Sequence, residues 1–344
     1  MHTCAFFYIF VKYFKNEMKR ITIKDIAKSL NLHHSTVSRA LRNDNSVNNE
    51  TKKKVLEFAK THGYQINRNA LQLRGNPSNV IGVIVPNIYH NFFSNIISYI
   101  TNFAFANGYI VSVFQSNESI SQEEEIIKAI VQNNIAGVIA SLSMESTNAV
   151  HFHKLKQYNI PLVLFDRVDN HLKVPKVTIN NTEVLEQTID FLVQKGKSRI
   201  AYLSGKDSIL LYAERQKGYS KGITKNNLQY TNIINASEKF NIENGIAIAQ
   251  YLLNSEIIPD AIICDSHLLM QGIFSETKKS KQPIHLVTFG GYKGLASVYP
   301  GVTFIQQPEN EIACEAFNLL LKCIKDETTT CDIHKEFDAK IIDN

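Results

Sequence analysis

ITIKDIAKSLNLHHSTVSRALRNDNSVNNETKKKVLEFAKTHGY, residues Ile21 to Tyr64, carries three short helical patterns in succession. Thr22 precedes an apolar stripe at Ile23, Ile26, Ala27 and Leu30, and Asp25 stands three residues after Thr22, where it completes a capping box. The spacing predicts a helix over 23–29. After the break at Asn31-Leu32, Val37, Ala40 and Leu41 form the inward stripe of a second helix and leave His34, Ser35, Ser38 and Arg39 outward. Asn48 or Asn49 caps a third, with Val55, Phe58 and Ala59 inward and Lys52, Lys53, Lys54 and Lys60 elsewhere on its surface. A short helix, a tight turn and a second helix with hydrogen-bonding side chains outward can enter a DNA major groove. Any small three-helix bundle has the same periodicity.

Charge sets this front end apart from the rest. Residues 18–75 hold twelve Lys and Arg against four Asp and Glu. The whole chain is at +5, so with one further positive charge in residues 1–17 the stretch 76–344 carries −4. A small basic module joined to a mildly acidic body directs only the front end toward a polyanion such as nucleic acid, unless the lysines simply form a solvated face. At 344 residues, 44% apolar and 20% charged, the chain has room for two or three folded domains. The five cysteines are odd in number and contain no C-x-x-C, which argues against a disulfide framework or zinc site and fits a reducing cytoplasm.

From Val80 the pattern changes to apolar runs: VIGVIV at 80, YIVSVF at 109, AGVIAS at 136 and PLVLFD at 161. Stretches of helical spacing lie between them, such as Phe92 to Asn107 and Glu123 to Asn134. The rhythm resumes with RIAYLSG at 199, TNIINA at 231, DAIICD at 260, IHLVTFG at 284 and VTFIQQ at 302. Continuous apolar strands alternating with helices predict parallel sheets covered on both faces. The fold class expected is a small all-α helix-turn-helix headpiece followed by an α/β core of two doubly wound parallel-sheet lobes.

The residues 21–64, with T-V-S-R at Thr36 to Arg39 as their most specific stretch, resemble the headpiece of the LacI/GalR transcriptional regulators. The resemblance implies a DNA-binding headpiece over 18–64. In it His34 and Ser35 read base edges, Arg39 reaches a base, and Thr36 and Ser38 position the helix. His33 replaces the family's usual small capping Ser, so its imidazole either caps the helix or meets a phosphate. Asn67 to Gly75 resembles the family's hinge, placed here in a hinge and linker over 65–78. There Asn67 belongs to a helix that forms on DNA, Ala70 is its small position and Leu73 its minor-groove wedge, the alternative being an ordinary linker helix.

VIGVIVPNIYHNFF, LFDR, the LSG…ERQKGY stretch and IQQP extend the resemblance over 79–344, to a core similar to periplasmic sugar-binding proteins. The implied boundaries put lobe one at about 79–178 and 306–326 and lobe two at about 179–305 and 327–344, with effector in the cleft between them. Residues carried onto the cleft are Phe92, Phe93, Asp166, Arg167, Arg215, Ser266 and Gly290. The two Phe stack on a ring unless they are core at the helix start. Asp166 grips a ligand group unless it caps a turn. The second lobe departs from the family: its usual C-A-N-D reads Cys264-Asp265-Ser266-His267, and its F-D-D reads Phe289-Gly290-Gly291. Standard sugar contacts are therefore in question, and the effector ranks as a phosphorylated or otherwise different sugar first, a non-sugar metabolite second and none third.

Residues 1–17 contain one apolar run, Ala5 to Val11, too short to span a bilayer and followed rather than preceded by lysines. They are expected to be a non-native or disordered extension, with Met18 as the natural start. No G-x-S-x-G, H-E-x-x-H, phosphate-loop or G-x-G-x-x-G motif is present, and the eleven His have no ligand spacing. No enzyme, cofactor, metal or membrane association is expected. A periplasmic binding protein would share the core but lack the headpiece. The expectation is a cytoplasmic, nucleoid-associated repressor, binding a pseudo-palindromic double-stranded operator as a homodimer and modulated by a small molecule, a carbohydrate by preference.

Overall fold

The computed structural model describes residues 21–64, 78–236, 240–280, 283–290, 295–325 and 332–343. The expected N-terminal extension and the hinge positions Asn67, Ala70 and Leu73 lie outside the described residues. The chain divides into two compact units, Met1–Asn76 and Pro77–Asn344.

In the first unit, α1 (Ile23–Leu30), α2 (His34–Leu41) and α3 (Asn49–Thr61) follow one another as the stripes require. The capping box closes both ways: Thr22 N–H donates to Asp25 Oδ2 at 2.8 Å and Asp25 N–H to Thr22 Oγ1 at 3.3 Å. Asn48, not Asn49, caps α3, its Oδ1 accepting from Thr51 N–H at 2.7 Å. Ile26, Val37, Ala40 and Val55 are fully buried in one small core. Two polar residues expected outside are inside. Ser38 is buried in the bundle, and Lys52 lies along the same interior with its Nζ donating to the Asn43 carbonyl at 3.3 Å. A long aliphatic stem allows that: it packs while its ammonium reaches a carbonyl at the edge.

The second unit holds two six-stranded sheets. The first sheet contains β1 (Val80–Val85), β2 (Ile110–Gln115), β3 (Gly137–Ala140), β4 (Leu162–Phe165), β5 (Lys176–Ile179) and β11 (His334–Phe337), ordered β11-β5-β4-β3-β1-β2. Every pairing in it is parallel. The second contains β6 (Ile200–Ser204), β7 (Asn232–Asn235), β8 (Ala261–Cys264), β9 (His285–Phe289), β10 (Val302–Gln306) and β12 (Lys340–Ile342), ordered β12-β10-β9-β8-β6-β7. It is parallel except for β12, which runs antiparallel to β10.

Alternation along the strands explains the layers. Ile81, Val83 and Val85 pack in one core with α4 (Asn91–Ala106) and α12 (Glu309–Ile324), while Ile84 joins α5 (Ile120–Gln132) in another. In lobe two, Ile200 and Tyr202 share the core that includes α7 (Asn181–Gln194) and α8 (Leu210–Lys225). Ala201 and Leu203 pack with α9 (Ile242–Leu253) and α10 (His267–Thr277) instead. Helices α7 and α8 approach closely because Gly218 and Gly222 lack side chains. A Cβ on Gly222 would stand 2.6 Å from Ile189 Cβ, and one on Gly218 would collide with the Thr182 carbonyl.

The chain crosses between lobes three times: after β5, after β10, and between β11 and β12. The first two follow Ile179 and Gln306. The third is corrected, from about 326 to the stretch after Phe337. Residues 334–337 belong to the sheet of lobe one because β11 pairs along β5, with Thr178 Oγ1 2.8 Å from His334 Nε2.

Candidate effector cleft and nucleic-acid interface

On the headpiece, α2 presents His34 and Arg39 to solvent, with Ser35 and Thr36 half-buried and Ser38 inside. His33 is the N-cap of this helix. Ser35 N–H donates to its Nδ1 at 3.4 Å, and Ser35 Oγ lies 2.8 Å from the same atom. Of the two roles open to His33, capping is therefore in use, and the His33 and His34 rings lie 4.2 Å apart at the start of the helix.

In the body, all seven residues carried onto the cleft line one hollow between the lobes. Phe92 and Phe93 come from the first turn of α4, Asp166 and Arg167 from the end of β4, and Arg215 from α8. Ser266 and Gly290 follow β8 and β9. These are the carboxyl ends of parallel strands and the helices beside them, where open α/β sheets gather ligands.

Arg215 is held on three sides. Its Nε donates to Asn181 Oδ1 at 2.9 Å, its Nη1 donates to Asp265 Oδ1 at 2.8 Å, and its guanidinium carbon lies 3.4 Å from the Phe289 ring centre. Asp265 also accepts from the Tyr202 hydroxyl at 3.0 and 2.9 Å. Arg167 reaches Glu118 with Nη1 at 2.7 Å, between the rings of Phe93 and Tyr212 at 6.0 and 5.8 Å. Asp166 has a backbone φ of 58°, and its carboxylate has no hydrogen-bond partner among the described residues. Burial pushes its pKa up, against the pull of Arg167 and Arg215. No turn-capping role for Asp166 is present.

The two Phe divide the roles offered to them: Phe93 is core, while Phe92 is half-buried at the cleft wall. Ser266 caps α10, its Oγ accepting from Leu268 N–H at 3.2 Å. Gly290 has φ +86°, a left-handed conformation that favours glycine. His90 and His267, one from each lobe, meet edge to face at 5.9 Å. Burial above all lowers the His90 pKa to about 4, with Arg167 and His267 adding to it, and burial lowers that of His267 as well. The hollow encloses about 620 Å³ of empty space, part of it open to solvent.

Sequence reasoning missed Glu118, Tyr202, Asp265 and His90. A signal existed for Asp265: an acid directly after the apolar run AIIC, at the mouth of a parallel sheet.

Two family models match the chain. Residues 22–67 match "Bacterial regulatory proteins, lacI family", and residues 78–339 match "Periplasmic binding proteins and sugar binding domain of LacI family". The chain belongs to the LacI family. Among LacI-family relatives, the transcriptional repressor CytR of Escherichia coli is 29% identical over 312 residues, 89% of this chain and 91% of its own. Catabolite control protein A of Priestia megaterium is 24% identical over 318 residues, 91% of this chain and 95% of its own. The fold matches that of the lac repressor dimer bound to operator and the anti-inducer ONPF. The TM-score is 0.80 at 20% identity, over 94% of this chain and 98% of that one. This LacI-family chain is a transcriptional regulator, not an enzyme. No helix among the described residues is long and apolar enough to cross a membrane.

Proposed function

We propose that this LacI-family chain is a cytoplasmic, nucleoid-associated repressor. It binds a pseudo-palindromic operator as a homodimer and responds to a sugar or sugar derivative in the inter-lobe cleft. His34 and Ser35 read base edges, Arg39 forms the strongest base contact, and Thr36 and the buried Ser38 hold the helix in position. Asn67 and Ala70 belong to a hinge helix whose Leu73 wedges into the minor groove. Phe92 covers a ligand ring with Phe93 behind it, and Asp166, Arg167 and Arg215 bind its polar groups, with Ser266 and Gly290 completing the wall.

The observation that carries this reading is the convergence of side chains from both lobes on one cleft spanned by three chain crossings. A ligand held by both lobes changes their closure, and closure sets whether two hinges stand at the spacing DNA requires. A homodimer is favoured by apolar exposure at the free edge strands and their helices. Ile110 and Val113 on β2, Phe105 on α4, Ile233 on β7 and Tyr251 on α9 all face solvent.

The test is selection from a random duplex pool by the purified chain, with and without a host metabolite extract. Enrichment of a two-fold-symmetric site that the extract weakens or strengthens supports the reading. Asp166→Asn should keep the site and lose the response; a response unchanged by that variant would place the effector elsewhere.

A further inference from the structure

Resting on the effector-cleft reading above, we propose that Asp265 excludes anionic effectors from the cleft, so that its ligand is an uncharged polyhydroxylated molecule rather than a phosphorylated one.

Two guanidinium groups in a cleft ordinarily invite a carboxylate or phosphate. Here each already has one. Glu118 takes Arg167, and Asp265 takes Arg215 with their side chains 0% and 4% exposed. Asp265 cannot swing aside, because its two oxygens also hold the Tyr202 hydroxyl. Nor can Arg215, fixed by Asn181 and stacked on Phe289. No further cation offsets an anion there: burial favours neutral His90 and His267, and Asp166 adds a carboxyl group to the same cleft wall. A phosphate at the remaining Arg215 Nη2 would set a second anion beside the buried Asp265 carboxylate that already shares that guanidinium. A hydroxylated neutral ligand has no such conflict. Its hydroxyls donate to Asp166 and accept from Arg215 Nη2, which has no protein partner among the described residues.

The test uses the full chain and paired probes: glucose with glucose 6-phosphate, ribose with ribose 5-phosphate, and inorganic phosphate alone. Binding is read as a saturable shift of the unfolding midpoint and by calorimetry, on the wild type, Asp265→Ala and Asp265→Ala/Arg215→Gln. The expected result is that no phosphorylated probe binds the wild type more tightly than its parent sugar. Asp265→Ala should gain at least tenfold in affinity for inorganic phosphate over the double variant, which also corrects for general salt effects on stability. Asp265→Asn, which keeps the side-chain shape, carries the same comparison if the alanine variant does not fold. A wild type that prefers a sugar phosphate, or a freed Arg215 that gains no phosphate affinity, overturns the proposal. Failure of the underlying effector reading would look different: operator affinity indifferent to every metabolite fraction, whatever the anion comparison gives.

Discussion

Asp265 Oδ1 stands 2.8 Å from Arg215 Nη1, joining the end of β8 to the middle of α8 across 50 residues of sequence. With both side chains buried, the pair orders lobe two as well as the cleft. Breaking it from one side strands a charge, at a cost of about 3–5 kcal/mol. Arg215→Gln and Asp265→Ala should each lower core stability in urea unfolding, and the double variant should lose clearly less than their sum. Simple additivity would show that the pair is not coupled.

The headpiece should melt independently of the core. Ile26 is fully buried in a core of few residues, and Ile26→Ala removes about 2–5 kcal/mol from a unit with little stability to spare. Calorimetry should show an early headpiece transition with the core transition unmoved. A shift of both together would mean that the two units unfold as one.

His33 as N-cap can be separated from His33 as phosphate contact. His33→Ala should cost roughly 1 kcal/mol of headpiece stability, and His33→Ser should restore most of it because a hydroxyl satisfies the same N–H. Equal stability of all three proteins would remove the capping role.

Acid should weaken the core through the histidine pair. The unfolded chain binds protons to His90 and His267 near pH 6.5, whereas folded His90 does so only near pH 4 and folded His267 is also depressed. Stability is therefore fully present above about 6.5 and declines as pH falls toward 4, by up to about 1.4 kcal/mol per pH unit for His90, with His267 acting in the same direction. His90→Gln/His267→Gln should flatten this decline in thermal scans at pH 7, 6 and 5. Parallel curves for variant and wild type would contradict the assignment.

Arg39→Ala should weaken specific DNA binding by about 1–3 kcal/mol and relax preference at one position per half-site. Salt-dependent affinity for random DNA should remain largely intact. Equal loss on every sequence would mean that Arg39 contacts only phosphate.

Much of the fold was legible because its strands are continuous apolar runs: all nine runs quoted from Val80 onward became strands. β5 and β11 were not, since KVTI and HKEF are four residues each with two and three polar residues, and that is why the third crossing was misplaced. Within the headpiece the stripes gave the helices and two caps, but not the burial of Ser38 and Lys52, which depends on how the three short helices wedge together. The residues carried onto the cleft line one hollow. The partners that neutralise the arginines were hidden, because Glu118 and Asp265 lie 49 and 50 residues from the groups they bind. Periodicity reports only local spacing.

The most direct measurement is the affinity and stoichiometry of the purified chain on its selected symmetric duplex and on a scrambled duplex of the same composition, by fluorescence anisotropy at about physiological salt. The account predicts two chains per duplex and a preference for the symmetric site of at least about 10³. Equal affinity for both duplexes, or one chain per site, would contradict it.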